Sequence, residues 1–334
     1  MSVQIIRPGL LATIQDLGRY GFQQYGVVVG GAMDSFSLRF ANVLVGNEEG
    51  EAAIEVTMMG TSLQFEEDTL ISITGGNLNP VIDGSPVPLW RPVFVKKDAV
   101  LSFAGCKVGC RAYIAVAGGF SIPNVMNSKS TYIRGEIGGF KGRALKEGDV
   151  IPLAEENSFS MKAKRALQKK LKHNSFAAAD WYVPFERYVN GKVVRVLKGA
   201  EFEEFSELAQ KQFFEQEFQI TPHSDRMGYR LSGPSLQLKR PFELLSEAVA
   251  NGTIQVPSDG NPIVLLADRQ TTGGYPRIGQ IATVDLPIMA QMKPGDHIRF
   301  KEITLHEAEQ LYIEREKEMK QIQTALLLKE WSFE

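Results

Sequence analysis

Three apolar runs, Val93-Phe94-Val95, Val100-Leu101-Ser102-Phe103 and Ala112-Tyr113-Ile114-Ala115-Val116, follow one another within residues 93–116, with Asp98, Gly105 and Gly109 between them. A period near two, broken by turn-forming residues, predicts antiparallel strands. The same grammar extends outward in both directions. Upstream lie Ala53-Ile54-Glu55-Val56 and Leu70-Ile71-Ser72-Ile73. Downstream lie Val193-Val194-Arg195-Val196-Leu197, Thr253-Ile254-Gln255-Val256, Ile263-Val264-Leu265-Leu266 and His297-Ile298-Arg299-Phe300. Closely spaced strands without a regular strand–helix–strand alternation predict a mainly β chain built as a barrel or sandwich.

A few helices interrupt the strands. Residues 34–44 place Phe36, Phe40 and Leu44 on one face, with Asp34 as N-cap and Gly46 past the end. A second helix is expected over 201–217. A third follows Thr304, where Thr304 and Glu307 fit a capping box and Leu305, Ala308, Leu311 and Tyr312 form a helical stripe.

The two halves of the chain resemble each other. Ala53-Ile54-Glu55-Val56 returns as Thr253-Ile254-Gln255-Val256, and Gly75-Gly76 as Gly273-Gly274. Asp98 before Val100 and Phe103 parallels Asp296 before Ile298 and Phe300. Asp16-Leu17-Gly18-Arg19-Tyr20-Gly21 echoes Ser224-Asp225-Arg226-Met227-Gly228-Tyr229-Arg230. Four matches in one order imply duplication of a β unit. The expected organisation is a β half over 1–155, a basic linker or helical segment over 156–190, a second β half over 191–303 and a C-terminal helix over 304–334. Lys162, Lys164, Arg165, Lys169, Lys170 and Lys172 in the middle segment carry no interleaved aromatics, so a solvated face is expected rather than a nucleic-acid surface.

With 334 residues, 43% hydrophobic and 23% charged, the composition suits a globular core, and a net charge of −2 supplies no general pull toward nucleic acid or an anionic membrane. Cys106 and Cys110 are the two cysteines. They suit inert or structural thiols, not a disulfide scaffold or a metal site. No run approaches 18 uninterrupted apolar residues, and Met1 to Gly9 reads as a strand ending at a Pro8-Gly9 turn, not as a signal peptide. The expected compartment is the cytoplasm.

The densest polar motif is Asp268-Arg269-Gln270-Thr271-Thr272-Gly273-Gly274-Tyr275-Pro276-Arg277-Ile278-Gly279. It follows an apolar strand, and Gly273 and Gly274 could turn backbone amides toward a phosphate, carboxylate or carbonyl oxygen, unless they simply form a tight turn. Gln270, Thr271 and Thr272 add neutral hydrogen-bonding groups. No phosphate-loop pattern is present. In Thr221-Pro222-His223-Ser224-Asp225-Arg226, the adjacent His223, Ser224 and Asp225 would point to alternate faces and cannot form a relay as neighbours. Asp225 and Arg226 suit substrate binding or turn fixing, and arginine suits a carboxylate or phosphate. Asp16 and Arg19 form the N-terminal equivalent, as cleft-lining groups or as turn residues. Glu55 and Glu247 are either buried carboxylates or surface acids.

These segments together resemble the carboxyltransferase family that includes allophanate hydrolase subunit 2 and the C subunit of 5-oxoprolinase. The matching residues are Thr13 to Arg19, Gly31 to Asp34, Ala115 to Gly119, Ser224 to Gly228, Gly252 to Pro257 and Gln270 to Pro276. In length and termini the chain is most similar to the stand-alone bacterial C subunit, which is also described as the antagonist of a sporulation-kinase inhibitor. The resemblance implies duplicated cyclophilin-like β-barrel halves. It implies work with the B subunit, the kinase-inhibitor homologue, and with the A subunit, in an ATP-dependent opening of 5-oxoproline to L-glutamate.

Two other functions come with the resemblance: carboxyl transfer from biotin, as in urea carboxylase, and regulation by sequestering a kinase inhibitor. The chain lacks a Met-Lys-Met biotinyl signal and an ATP-grasp pattern, so biotin is not expected as its own cofactor, and ATP would be a co-substrate met at a shared interface. Opening a lactam needs activation of a poor electrophile, water, a base and oxyanion stabilisation. Gln270, Thr271, Thr272 and the Gly273 and Gly274 amides could supply the last of these, with Tyr275 beside them. Arg226 or Arg19 could hold the substrate carboxylate, and Asp225 or Asp16 could manage protons. Of the two copies, the C-terminal one carries the denser polar set.

Overall fold

Alternation becomes burial strand by strand. In the computed structural model, which describes residues 1–184, 191–241 and 244–328, β1 (Ser2–Pro8) buries Val3 and Ile5 and turns the residues between them outward. The chain separates into two compact units: Met1–Gly18, Asp34–Val189 and Glu318–Glu334 form the first, Arg19–Met33 and Asn190–Lys317 the second. The architecture is mainly β, as expected. No helix among the described residues is long and apolar enough to cross a membrane.

The first unit continues with β2 (Leu11–Gln15), β3 (Ala53–Thr57), β4 (Thr61–Phe65), β5 (Thr69–Asn77), β6 (Pro80–Ile82), β7 (Ser85–Pro86), β8 (Pro92–Val95), β9 (Val100–Phe103), β10 (Val108–Val116), β11 (Val150–Pro152) and β12 (Phe176–Ala178). These form two six-stranded sheets, ordered β11-β1-β4-β9-β6-β7 and β12-β8-β5-β10-β3-β2. The core takes Val3, Ile5, Phe65 and Leu101 from one sheet and Ile54, Ile71, Ile73 and Ile114 from the other. Strands β5 and β10 are buried almost throughout, because α1 (Ser35–Leu44) covers their far side with Phe36, Phe40 and Leu44, packed with Trp90. Asp34 caps that helix as expected, accepting from the Ser37 N–H at 2.9 Å.

The basic segment is built into this unit. Helix α2 (Ser158–Lys169) buries Ser160, Ala163 and Leu167 on one stripe, while β12 adds an edge strand to β8. Its lysines stay on the solvent side, where Lys164 meets Glu156 and Lys170 meets Asp180. The remainder of the expected linker, 185–190, and the end of the chain, 329–334, lie outside the described residues.

The second unit contains β13 (Val193–Lys198), β14 (Glu217–Ile220), β15 (Gly228–Ser232), β16 (Glu247–Ala248), β17 (Thr253–Gln255), β18 (Ile263–Leu265), β19 (Thr272–Gly273), β20 (Arg277–Ile281) and β21 (His297–Glu302). Seven of these close a barrel, β13-β20-β17-β18-β15-β14-β21, sealed by parallel pairing of β13 with β21. Val194, Val196, Phe218, Ile254, Val264, Ile278 and Phe300 belong to its buried core. Phe213 of α3 (Glu207–Glu215) stacks on Phe300 at 4.8 Å between ring centroids. The duplicate is therefore unequal: one closed barrel and one pair of open sheets. An edge such as β7 ends at Pro86, which has no N–H to offer a further strand.

Two helices differ from expectation. The 201–217 segment breaks into a 3-10 turn, Phe202–Glu204, and α3, because the Ser206 hydroxyl accepts from the Ala209 N–H and starts a new helix. After α4 (Leu286–Gln291), helix α5 (Leu305–Leu328) has the expected capping box: the Thr304 N–H donates to Glu307 at 2.7 Å, and the Glu307 N–H donates to Thr304 Oγ1 at 3.2 Å. The expected stripe, however, leaves Leu305 and Tyr312 exposed. The buried positions are Met319 and Leu326, which join the cluster of Phe36, Phe40 and Trp90.

Candidate functional site

Pairing of β15 with β18 decides where the polar motif of the second unit points. Gly228 stands opposite Leu265, and the ladder runs past both strand ends: Leu266 N–H donates to Met227 C=O and Asp268 N–H to Arg226 C=O, each at 2.9 Å. Arg226 and Asp268 thus become cross-strand neighbours. The Arg226 fork closes on the Asp268 carboxylate, Nε to Oδ2 at 2.9 Å and Nη2 to Oδ1 at 3.0 Å, and Nη2 also donates to the Gly31 carbonyl at 2.5 Å. Both residues are buried.

The Arg19–Met33 segment belongs to the same unit and brings the second expected arginine. Arg19 is buried, and its backbone N–H donates to Val29 C=O at 2.8 Å. Gly30 has a positive φ of 67°, and a Cβ there would stand 3.6 Å from Arg19 Nη1 and 3.7 Å from Asp268 Oδ1. Arg226 thus closes on Asp268, and Arg19 and Asp268 both border Gly30; Asp268 is a residue within the motif to which sequence reasoning gave no role. Its signal was an acid one ladder step beyond an apolar strand, which becomes informative only when the partner strand is known.

The two expected proton-handling acids sit elsewhere. Asp225 is exposed and fixes a turn, accepting from the Met227 N–H at 2.8 Å and the Gly228 N–H at 3.3 Å. Asp16, in the first unit, is a buried hub that takes the Gly18 N–H, the Ser128 hydroxyl, the Lys129 N–H and the Ser130 hydroxyl. Both are turn anchors of the same kind, each accepting from the N–H two residues on.

The glycine motif forms a ribbon. Strand β19 pairs with β16, Gly273 opposite Glu247 and Thr272 opposite Ala248. Neither Gly273 nor Gly274 has the positive φ that an amide nest would use, whereas their counterpart Gly75 has φ 81° at a bulge between β5 and β10. Gly273 is there for close approach: a Cβ would stand 2.4 Å from Nε2 of the buried Gln255. Gln270, Thr272 and Tyr275 are exposed on the ribbon and its flanks, and Thr271 is half-buried. Gly274 and Tyr275 also line a cleft of about 570 Å³, with Leu236, Leu238, Arg240 and Leu244.

Ion pairs fix the ribbon's far end. Arg277 donates to Glu201 at 2.8 and 2.6 Å and to Glu247 at 2.8 Å, which places Glu247 at the surface in an ion pair. The Arg277 fork holds the Glu201 carboxyl below the usual carboxylate range. Arg269, one residue past Asp268, meets carbonyls instead: Nε donates to Val249 C=O and Nη1 to Leu266 C=O, both at 3.3 Å. Burial pushes its guanidinium below the ordinary arginine value, and the Tyr20 phenol is within electrostatic reach.

In the first unit, Glu55 is buried opposite Tyr113 and accepts from its hydroxyl at 2.7 Å, while the Asp34 N–H donates to the same hydroxyl at 2.8 Å. Burial, with Glu55 and Asp34 adding to it, pushes the Tyr113 phenol well above its ordinary value. It therefore stays a donor to Glu55 at neutral pH.

The family model for the carboxyltransferase domain, subdomains A and B, matches residues 25–302. The chain belongs to the carboxyltransferase-domain family. It is 38% identical to the 5-oxoprolinase C subunit of Haemophilus influenzae, over 90% of this chain and 91% of that protein. It is equally 38% identical to the 5-oxoprolinase C subunit of Escherichia coli, over 92% and 93%. The solved urea carboxylase of Kluyveromyces lactis superposes with a TM-score of 0.84 at 29% identity, covering 98% of this chain but 30% of that one. Arg226, Asp268, Arg269 and the ribbon lie inside the carboxyltransferase-domain match, and Arg19 lies just before it.

Proposed function

We propose that this chain is the C subunit of a 5-oxoprolinase, acting with the A and B subunits to open 5-oxo-L-proline to L-glutamate at the expense of ATP. The observation that carries the proposal is coverage. The chain matches two 5-oxoprolinase C subunits over at least nine-tenths of their length and its own, whereas it matches under a third of a urea carboxylase.

ATP supplies the activation that a lactam needs. The chain's own residues would supply position and polarity. The ribbon presents Gln270, Thr271 and Thr272, whose side chains can hydrogen-bond the ring carbonyl and the oxyanion that develops from it. The Gly273 and Gly274 amides and Tyr275 flank them, with Gly274 and Tyr275 on the cleft wall. Arg226 is closed on Asp268, and Arg19 lies beside Gly30 in the same unit. Asp225, exposed at the turn it fixes, would be the acid that manages protons, and Asp16 holds its own turn.

The test is a reconstituted three-protein complex with glutamate release as the readout. ATP-dependent release that disappears when this chain is omitted is the expected result. Thr272→Ala should lower kcat by about 10²-fold if its hydroxyl serves the oxyanion. ATP-dependent turnover that is indifferent to the presence of this chain would sink the proposal.

A second function has its own support in the family match to a carboxyltransferase domain and the fold shared with a urea carboxylase. It requires a biotinyl group carried by another polypeptide. Avidin separates the two: carboxyl transfer would stop, and lactam opening would continue.

A further inference from the structure

Two half-buried arginines of the second unit close on carboxylates. Arg195 meets Asp285 at 2.5 Å and Arg277 meets Glu201 at 2.6 Å, while the more deeply buried Arg226 meets Asp268 at 2.9 Å. Arg269 is half-buried too, yet among the described residues no carboxylate pairs with it. Its fork is held by two carbonyls, Val249 through Nε and Leu266 through Nη1, and the Nη2 donors have no protein acceptor among the described residues. A guanidinium partly removed from water without a counter-charge is costly, and an anion arriving at its open edge relieves that cost.

The surroundings fit a small carboxylate. Val249, which fixes the Arg269 fork through its carbonyl, also donates its N–H to the Thr271 carbonyl at 3.1 Å. The guanidinium is therefore anchored at the base of the ribbon that carries Gln270, Thr271 and Thr272. Those side chains are neutral, so the corner offers one full positive charge with hydrogen-bonding neighbours. That combination suits a singly charged, planar oxyanion better than a phosphate, which gains from several cations. Tyr20 adds a phenol nearby. Arg226 cannot offer the same edge, because Nε and Nη2 are already spent on Asp268 and Gly31.

We propose that Arg269, not Arg226, binds the carboxylate of a small organic acid at the base of the β16–β19 ribbon. That the acid is 5-oxo-L-proline rests on the function proposed above. The carboxylate-binding role of Arg269 does not.

The experiment titrates the full chain, alone and with its partner proteins, using three probes followed by calorimetry: 5-oxo-L-proline, 2-pyrrolidone (the same ring without the carboxylate) and acetate. Wild type should prefer 5-oxo-L-proline over 2-pyrrolidone by roughly 10- to 100-fold, the range of one charge-assisted contact. In Arg269→Gln that preference should fall to near unity, with 2-pyrrolidone binding unchanged. Arg269→Lys should keep part of it, since a point charge replaces a fork, and it serves as the readout if the Gln variant melts early. Arg269-dependent binding of acetate without binding of 5-oxo-L-proline upholds the site and removes the 5-oxoprolinase assignment. A preference that survives Arg269→Gln, or no saturable carboxylate binding by wild type, overturns the proposal.

Discussion

Asp268 carries more of the candidate site than its place in the sequence suggests. It receives two Arg226 nitrogens and, with Arg19, borders Gly30, all in a buried setting. Removing it leaves Arg226 buried without its counter-charge, so Asp268→Ala should destabilise the second unit by about 3–5 kcal/mol in urea unfolding. Replacing both partners by apolar groups of similar size, Arg226→Met with Asp268→Leu, should recover most of that loss. A single variant within about 1 kcal/mol of wild type would mean that the pair does not hold the site together. The individual motif residues were legible in the sequence, but the partnership was not. Arg226 and Asp268 meet only because β15 and β18 pair in one register, and an amino-acid pattern does not state a register. Asp16 and Asp225 show the reverse: their turn-fixing role follows from local spacing, and the structure has it in both halves.

Elements were read best where burial is one-sided. Strand β9 alternates as its sequence does, and α1 begins at the Asp34 cap. Helix α3 is shorter than its apolar pattern because Ser206 restarts the helix, and the α5 stripe misled because the helix runs on to bury Met319 and Leu326 instead. For the ribbon the sequence left an amide nest and a tight turn between strands both open; neither glycine has a positive φ, and Gly273 serves the approach of Gln255. Gly273→Ala would place a methyl 2.4 Å from Gln255 Nε2. That amide is buried and donates to Tyr275 C=O at 3.2 Å, so it yields at a cost. The substitution should cost about 1–3 kcal/mol, as overpacking does, and Gln255→Ala in the same chain should return most of it. A double variant no more stable than Gly273→Ala alone, in thermal unfolding, would show that the glycine answers to something other than Gln255.

For the whole molecule, two β halves were legible, but not their inequality, since closure depends on edge strands meeting: β13 meets β21, while β7 stops at Pro86. Nor was it legible that Arg19–Met33 would pack with the second unit. Acid stability tests whether that unit is held together by charge as well as by its core. The Arg277 fork holds the Glu201 carboxyl below its ordinary value in the folded state, and Arg277 keeps its charge at any pH of interest. A depressed carboxyl favours the folded state once the pH exceeds its ordinary value of 4.5, and loses that contribution as the pH falls through the folded-state value. Glu201→Gln removes the titration but keeps the shape. The urea midpoint of wild type should therefore exceed that of Glu201→Gln by a constant margin between about pH 6 and 8, and the margin should narrow below about pH 4.5. A margin that holds its size down to about pH 3 would show that Glu201 contributes through packing, and that its charge on Arg277 is not what fastens the ribbon to the barrel.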